Sequence, residues 1–286
     1  MSKFVIQGGS ELSGRVAVQG SKNAAFPVIA ASILAQGKCE IKNVPDIADV
    51  RNFLRIFESL GADWKFSDHR LVIDTANLQN QKLSRDLVGT MRGSVVLLGP
   101  LLARFGGVSL PYPGGDAIGV RPIDVHLDGF RKLGAEVREE KTGVAVSAKR
   151  LTGNRIVLGV ASVTGTENLI LASVLAQGVT EIRLAATEPH VRNLCEFLNK
   201  MGAKIQGLGT PNLEIRGVKR LRGTEFVLCP DEIEAVTFCV AAAVTKGQVT
   251  ITGAELLNLD APLNHLERMG VNLEAKDNRI VVRKPK

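Results

Sequence analysis

The stretch that decides the fold reads Val50-Arg51-Asn52-Phe53-Leu54-Arg55-Ile56-Phe57-Glu58-Ser59-Leu60-Gly61-Ala62. Its apolar residues recur every three or four positions, which predicts one buried face of a helix, and the glycine suits the left-handed residue that ends many helices. The closing tripeptide returns as Leu133-Gly134-Ala135, Met201-Gly202-Ala203 and Met269-Gly270-Val271, so that the glycines lie 73, 68 and 68 residues apart. Self-similarity at a nearly fixed period predicts a repeat architecture.

A second marker precedes each of these helices. Small residues that end in glycine occur as Ala31-Ser32-Ile33-Leu34-Ala35-Gln36-Gly37, and in similar form at 99–106, 172–178 and 241–247. Each predicts a helix that ends at glycine and is followed by an alternating strand. Two more short strands follow each Leu-Gly-Ala. We therefore predict an α/β (α+β) fold of four strand-helix-strand-helix-strand-strand units, with the helices packed together and the sheets outside.

The composition is ordinary for a globular protein. Of its 286 residues, 45% are hydrophobic and 23% are charged. The net charge of +7 is spread along the chain, which favours small anionic substrates over nucleic acid. No apolar run approaches a membrane span and residues 1–4 lack a signal-peptide core, so we expect a cytoplasmic protein with no membrane partner. The cysteines lie among apolar residues at unrelated spacings, which favours buried free thiols over disulfides or zinc. They are Cys39, Cys195, Cys229 and Cys239.

A loop rich in proline and glycine runs Pro111-Tyr112-Pro113-Gly114-Gly115-Asp116-Ala117-Ile118-Gly119-Val120-Arg121-Pro122. Residues with helical spacing follow it, and we predict that the helix begins at Pro122, where the missing proline N–H costs nothing. Free backbone N–H groups at that helix start, with Arg121 just before them, predict an anion site. An ordinary surface turn with one acidic residue is the alternative for so short a motif.

Taken together, these motifs resemble the family of UDP-N-acetylglucosamine 1-carboxyvinyltransferases, the enolpyruvyl transferases that begin peptidoglycan precursor synthesis. The related enolpyruvyl transferases of aromatic synthesis share the repeats but are not known for the loop that joins Pro-Gly-Gly-Asp to Arg-Pro-x-Asp. The resemblance runs collinearly from the strand at 5–8 to the end of the chain. Its motifs are Gly20-Ser21-Lys22-Asn23-Ala24-Ala25, Thr90-Met91-Arg92, Pro113-Gly114-Gly115-Asp116-Ala117-Ile118-Gly119, Arg121-Pro122-Ile123-Asp124-Val125-His126 and Glu188-Pro189.

The resemblance implies six repeats in two globules, with the substrates between them. Here residues 22–228 match a complete first globule of three repeats, whereas 1–21 and 229–286 match an edge strand and one repeat of the second. Two repeats, roughly 140 residues by the spacing above, have no match, and they carry the family's base for the sugar hydroxyl. We therefore expect this chain alone to be inactive. Two alternatives are a non-catalytic UDP-sugar-binding or scaffolding remnant, and one half of a split enzyme with a separate C-terminal fragment as its partner.

The reaction that the resemblance implies moves the enolpyruvyl group of phosphoenolpyruvate to the 3′-hydroxyl of UDP-N-acetylglucosamine, with no cofactor or metal ion. Asp116 matches the loop general acid of the family. That acid is a cysteine in most members, and the epoxide fosfomycin alkylates this cysteine. Lys22 and Asn23 match ligands of phosphoenolpyruvate, and a lysine at a helix start opposes the helix dipole, which also points to an anion. A solvated lysine at the hinge is the alternative for Lys22.

The remaining substrate contacts also come from the resemblance. Arg92 matches a residue that holds a substrate anion, to which its planar fork is suited. Residues 121–125 form a strip that matches the residues holding the uridine diphosphate in the family, although Asp124 could equally be a structural first-turn acid. A loop at 162–164 matches another nucleotide contact, and Val160 departs from the lysine that the family often has there. His69, His190 and His265 are expected at the surface. The strip and the loop are Arg121, Pro122, Ile123, Asp124 and Val125, and Ser162, Val163 and Thr164.

Overall fold

The computed structural model describes residues 3–115, 118–119 and 121–284. Contacts between Cα atoms divide the chain into two compact units. The larger unit is Lys22–Leu228, and the smaller unit combines Met1–Ser21 with Cys229–Lys286.

The helices of the described residues are mostly short. The α-helices are α1 (Lys22–Ala31), α2 (Ala48–Ser59), α3 (Arg85–Val88), α4 (Leu98–Phe105), α5 (Asp124–Lys132), α6 (Val163–Ser173), α7 (Pro189–Lys200), α8 (Glu232–Val244) and α9 (Asp260–Arg268). Short 3-10 helices are Ser32–Leu34, Arg92–Leu97 and Leu256–Asn258. None of the helices in this part of the chain has the length and apolar character needed to cross a membrane.

The strands form small sheets. Those of the first half are β1 (Ser13–Ala17), β2 (Ala35–Gln36), β3 (Lys38–Lys42), β4 (Asp63–Ser67), β5 (Arg70–Asp74), β6 (Gly107–Pro111), β7 (Glu136–Glu140) and β8 (Gly143–Ser147). Those of the second half are β9 (Arg155–Val157), β10 (Val179–Arg183), β11 (Lys204–Gln206), β12 (Asn212–Arg216), β13 (Leu221–Arg222), β14 (Glu225–Val227), β15 (Gln248–Thr252), β16 (Leu273–Lys276) and β17 (Arg279–Val282).

The predicted α/β repeat is confirmed. The order helix, strand, helix, strand, strand occurs as α1-β3-α2-β4-β5, α4-β6-α5-β7-β8 and α6-β10-α7-β11-β12 in the larger unit, and as α8-β15-α9-β16-β17 in the smaller one. In each copy the last strand pairs antiparallel with both of the others, as β5 does with β3 and β4. The second copy differs from the prediction, because α3 and the 3-10 helix Arg92–Leu97 stand where its leading strand was expected.

The leading strands complete the sheets by parallel pairing at an edge. Strand β9 pairs with β10 of its own copy, with Ile156 opposite Ile182. Strand β14 instead pairs with β3, and β1 pairs with β15, so these two sheets join segments that are far apart in the sequence. In each unit, one sheet therefore gains an edge strand from a distant segment of the chain.

The repeated glycines end the amphipathic helices as the sequence predicts. Gly61, Gly134, Gly202 and Gly270 follow α2, α5, α7 and α9 and have φ angles of 93°, 89°, 107° and 87°. Only glycine adopts this left-handed backbone without steric cost. The tripeptide therefore marks the same turn in every copy.

The core of the larger unit is built from helices that are buried on nearly all sides. In α1 residues 24–31 are buried, and in α6 residues 165–173 are buried. Their small and apolar side chains allow close packing, and Gly129 of α5 lies so near the Leu169 side chain that a Cβ there would overlap it. The four cysteines are buried free thiols, as expected. A separate apolar cluster, which includes Cys239, Ile251 and Ile280, forms the core of the smaller unit.

Candidate substrate-binding site

A cavity of about 530 Å³ in the larger unit brings several helix starts together. Lys22 and Asn23 begin α1, Arg92 begins the 3-10 helix Arg92–Leu97, and Val163 and Thr164 begin α6. The first N–H groups of a helix have no partner within it and carry partial positive charge, so several helix starts around one cavity favour an anion. The predicted residues that line the cavity are Lys22, Asn23, Arg92, Arg121, Val163 and Thr164.

Two arginines give the cavity an excess of positive charge. The half-buried Arg92 donates a hydrogen bond from Nη2 to the Pro122 carbonyl oxygen at 3.2 Å. Burial lowers the pKa of its guanidinium, and the nearby Arg121 lowers that pKa further. Among the described residues no carboxylate forms an ion pair with Arg92 or Arg121. Two neighbouring cations that have no counterion among the described residues are suited to an anionic ligand.

Lys22 is paired within the larger unit. Its Nζ lies 3.8 Å from the carboxylate of Asp49, which is in the first turn of α2 and also lines the cavity. Both side chains are about half exposed, so this pair contributes little to stability. Asp49 could not be singled out from the sequence, because an acidic residue in a helix first turn has a purely structural explanation.

The double glycine of the loop allows the backbone to approach closely. A Cβ at Gly114 would overlap the Gly89 carbonyl oxygen, and one at Gly115 would lie 3.1 Å from the Arg92 backbone nitrogen. Gly115 also has a φ of 106°. The glycines thus bring this loop against the backbone at Gly89 and Arg92. The predicted general acid Asp116 lies outside the described residues.

The other predicted contacts surround the cavity without lining it. Pro122 offers its carbonyl to Arg92, and the buried Ile123 precedes α5. The predicted helix start at Pro122 is wrong, because α5 begins at Asp124, which is exposed in the first turn. The Ser162 hydroxyl accepts a hydrogen bond from Gly165 N at 3.2 Å and caps α6. The Val125 side chain packs so closely that a Cβ at Gly165 would lie 3.0 Å from it.

A chain of buried polar side chains leads to the cavity wall. The Gly99 N–H donates to Asn168 Oδ1 at 2.6 Å, and Asn168 Nδ2 donates to the Val95 carbonyl at 2.9 Å. Asn168 Nδ2 also lies 2.9 Å from His126 Nδ1, and His126 Nε2 lies 3.2 Å from Thr164 Oγ1. Burial, with a smaller effect of the Arg92 charge, lowers the pKa of His126 to about 3, so this ring is neutral.

Two further residues of the cavity were not found from the sequence. Glu167 lines it from α6, is only 2% exposed, and its Oε1 has no hydrogen-bond partner among the described residues. Burial first, and the Glu188 carboxylate second, raise the pKa of Glu167 well above its usual value. His190, expected at the surface, is buried at the start of α7 and lines the cavity. An acidic residue within the apolar run 165–173 was the available signal for Glu167.

Comparisons with known proteins identify the family to which this chain belongs. The family profile of EPSP synthase (3-phosphoshikimate 1-carboxyvinyltransferase) matches residues 6–286. The chain is 46% identical over 286 residues to the UDP-N-acetylglucosamine 1-carboxyvinyltransferase of Geobacter metallireducens, and 44% identical over 289 residues to that of Campylobacter hominis. Each match covers 100% of this chain and 69% of the relative.

Solved structures share the fold. The enolpyruvyl transferase NikO from Streptomyces tendae superimposes with a TM-score of 0.86 at 26% identity, over 97% of this chain and 67% of that protein. EPSP synthase from Acinetobacter baumannii superimposes with a TM-score of 0.76 at 21% identity, over 96% of this chain and 65% of that protein. The predicted enolpyruvyl transferase fold is thereby confirmed.

Proposed function

We propose that this chain, which belongs to the UDP-N-acetylglucosamine 1-carboxyvinyltransferase family of enolpyruvyl transferases, binds UDP-N-acetylglucosamine and phosphoenolpyruvate for transfer of the enolpyruvyl group to the sugar 3′-hydroxyl. The observation that carries this proposal is the cavity, where Lys22, Arg92 and Arg121 meet at helix starts. Both substrates are anions, and the cavity supplies cations and backbone N–H groups for their phosphate and carboxylate oxygens. Such a transfer serves peptidoglycan precursor synthesis in the cytoplasm.

The chemistry requires a proton donor and stabilised negative charge. We assign the donor to Asp116, which protonates the methylene carbon of phosphoenolpyruvate while the sugar hydroxyl loses its proton to a base and its oxygen bonds to the adjacent carbon. The tetrahedral intermediate then loses phosphate and one methyl proton, which restores the double bond. Lys22 and Arg92 hold anionic oxygens of the two substrates, whose charge they offset throughout. A carboxyl group in the Asp116 role must stay protonated, which a site closed to water favours.

The uridine diphosphate is assigned to the other side of the cavity. Arg121, with its charge unpaired among the described residues, is suited to a phosphate oxygen, and the starts of α5 and α6 add backbone donors. Pro122, Ile123, Asp124, Val125, Ser162, Val163 and Thr164 are the proposed neighbours of the nucleotide.

The binding experiment measures the affinity of the 286-residue polypeptide for UDP-N-acetylglucosamine by calorimetry. Truncating a charged hydrogen-bond donor costs about 1.5–3 kcal/mol. Arg121→Ala and Arg92→Ala are therefore each expected to weaken binding about tenfold or more. Arg138→Ala removes an arginine that is exposed on β7 and does not line the cavity, and serves as the matched control. Equal affinity in all four proteins would contradict the proposal.

The catalytic experiment uses the polypeptide with and without the segment of the Geobacter relative that the chain does not span. Because the match covers 69% of that relative, the added segment is the proposed partner for turnover. Phosphate release from phosphoenolpyruvate is expected to require UDP-N-acetylglucosamine and to fall below detection in Asp116→Ala. Release that continues in Asp116→Ala would remove this residue from the mechanism. Nucleotide-sugar binding without turnover in either arm would support the non-catalytic alternative.

A further inference from the structure

The hydrogen bonds that link Asn168, His126 and Thr164 behind the cavity can run in only one direction. Asn168 can be oriented in only one way, because the Gly99 N–H needs the amide oxygen and the Val95 carbonyl needs the amide nitrogen. The second hydrogen of Asn168 Nδ2 therefore points at His126 Nδ1, 2.9 Å away. Since an N–H faces it, Nδ1 of His126 must be the acceptor.

The acceptor at His126 Nδ1 determines which partner donates in the hydrogen bond between His126 and Thr164. A neutral imidazole with an acceptor at Nδ1 carries its proton on Nε2. His126 Nε2 therefore donates to Thr164 Oγ1 across 3.2 Å. His126 is 2% exposed, and its lowered pKa keeps the ring neutral. The ring therefore carries a single proton, on Nε2.

The Thr164 hydroxyl is left with a proton to donate. Thr164 lies in the first turn of α6 and lines the cavity, and its hydroxyl donates to no acceptor among the described residues. We propose that Asn168 and His126 hold the Thr164 hydroxyl as a hydrogen-bond donor to a phosphate oxygen of the nucleoside diphosphate bound in the cavity. Asn168 and His126 are then positioning residues, and Thr164 is a binding residue whose polarity they set.

The opposite direction would make Thr164 unfavourable to the same ligand. If His126 Nε2 lacked its proton, Thr164 would donate to the ring and turn only oxygen lone pairs toward the cavity. Those lone pairs would repel a phosphate oxygen beside Arg92 and Arg121. The buried amide thus decides whether the wall of the cavity attracts or repels an anion. The identity of the ligand rests on the proposed function, whereas the direction of the hydrogen bonds does not.

Nuclear magnetic resonance tests the direction without any ligand. Long-range proton–nitrogen spectra of the ¹⁵N-labelled polypeptide report which ring nitrogen is protonated, and the signals that vanish in His126→Gln identify this ring. We expect Nε2 protonated and Nδ1 bare at pH 7. A proton on Nδ1, or on both nitrogens, would overturn the proposal. In Asn168→Asp the carboxylate accepts from the ring, so the proton is expected to move to Nδ1.

Calorimetric titrations with UDP and with uridine test the ligand contact. Thr164→Val keeps the shape but removes the hydroxyl, and is expected to lower UDP affinity about tenfold, as for other hydrogen bonds to charged groups. Thr164→Ser is expected to recover most of that loss. Uridine, which has no phosphate, should bind all three proteins alike.

Two controls complete this design. Thr142→Val makes the same change at an exposed threonine that does not line the cavity, and should not alter UDP affinity. Asn168→Asp should weaken UDP binding while Thr164 is intact. Unchanged UDP affinity in Thr164→Val would overturn the proposal. If the unmutated polypeptide bound no UDP, the proposed function and this ligand would both fail, while the ring spectrum would still decide the direction of the hydrogen bonds.

Discussion

Replacing Glu167 by glutamine should change how the stability of the larger unit depends on pH. The side chain is 2% exposed, and burial and the nearby Glu188 raise its pKa well above 4.5. Above pH 4.5 the unfolded chain loses this proton while the folded chain keeps it, so folding binds a proton. The free energy of unfolding therefore falls as pH rises, by about 1.4 kcal/mol per pH unit, until the folded pKa is passed.

Glutamine has nearly the same shape and does not ionise, so Glu167→Gln removes this contribution. The stability of the variant relative to the unmutated protein is expected to rise with pH by that same slope. Urea unfolding can be followed by the fluorescence of Trp64, the single tryptophan of the chain, which lies on β4 in the same unit as Glu167. Glu140→Gln, at an exposed position of β7, is the matched control and should show no such slope. Parallel pH profiles for all three proteins would refute a neutral, buried Glu167.

Three other predictions concern packing, reactivity and domain structure. A Cβ at Gly99 would overlap the Asn168 carbonyl oxygen, so Gly99→Ala is expected to lower the free energy of unfolding by about 1–3 kcal/mol. Gly159→Ala is the control and should not lower it, because a Cβ at Gly159 would have no atom within 4 Å. Equal urea midpoints for the two variants would contradict this prediction. When the polypeptide is supplied with the segment of the Geobacter relative that it does not span, fosfomycin should leave no adduct on Asp116 but should alkylate Asp116→Cys, because a carboxylate is a weaker nucleophile than a thiolate. An adduct on Asp116 by mass spectrometry would refute this. Limited proteolysis should leave 22–228 intact; rapid cleavage within α2 or α7 would contradict an independently folded unit.

The repeat could be predicted because each copy meets the same local requirements. A left-handed turn requires glycine and an amphipathic helix requires an apolar stripe, and both are visible in Leu60-Gly61-Ala62 and its recurrences. The leading strand of the second copy was predicted wrongly, since it was inferred from the repeated unit alone, and α3 and the 3-10 helix Arg92–Leu97 stand in its place.

The site was only partly accessible to the same reasoning. Lys22 and Arg121 could be singled out because cations beside predicted helix starts suit anions, and Arg92 because its motif resembles that of the family. His190 and Glu167 could not, because their burial depends on how α6 and α7 pack in the folded unit rather than on their neighbours in sequence. The same is true of the link from Asn168 to Thr164, which joins residues on two helices through His126.

The most direct test of the central claim is a crystal structure of this polypeptide soaked with UDP-N-acetylglucosamine. The account predicts density for the nucleotide sugar in the cavity of the larger unit, with phosphate oxygens within hydrogen-bond distance of the Arg121 guanidinium and the Thr164 hydroxyl. Density at another surface, with this cavity empty at a saturating concentration of ligand, would contradict it.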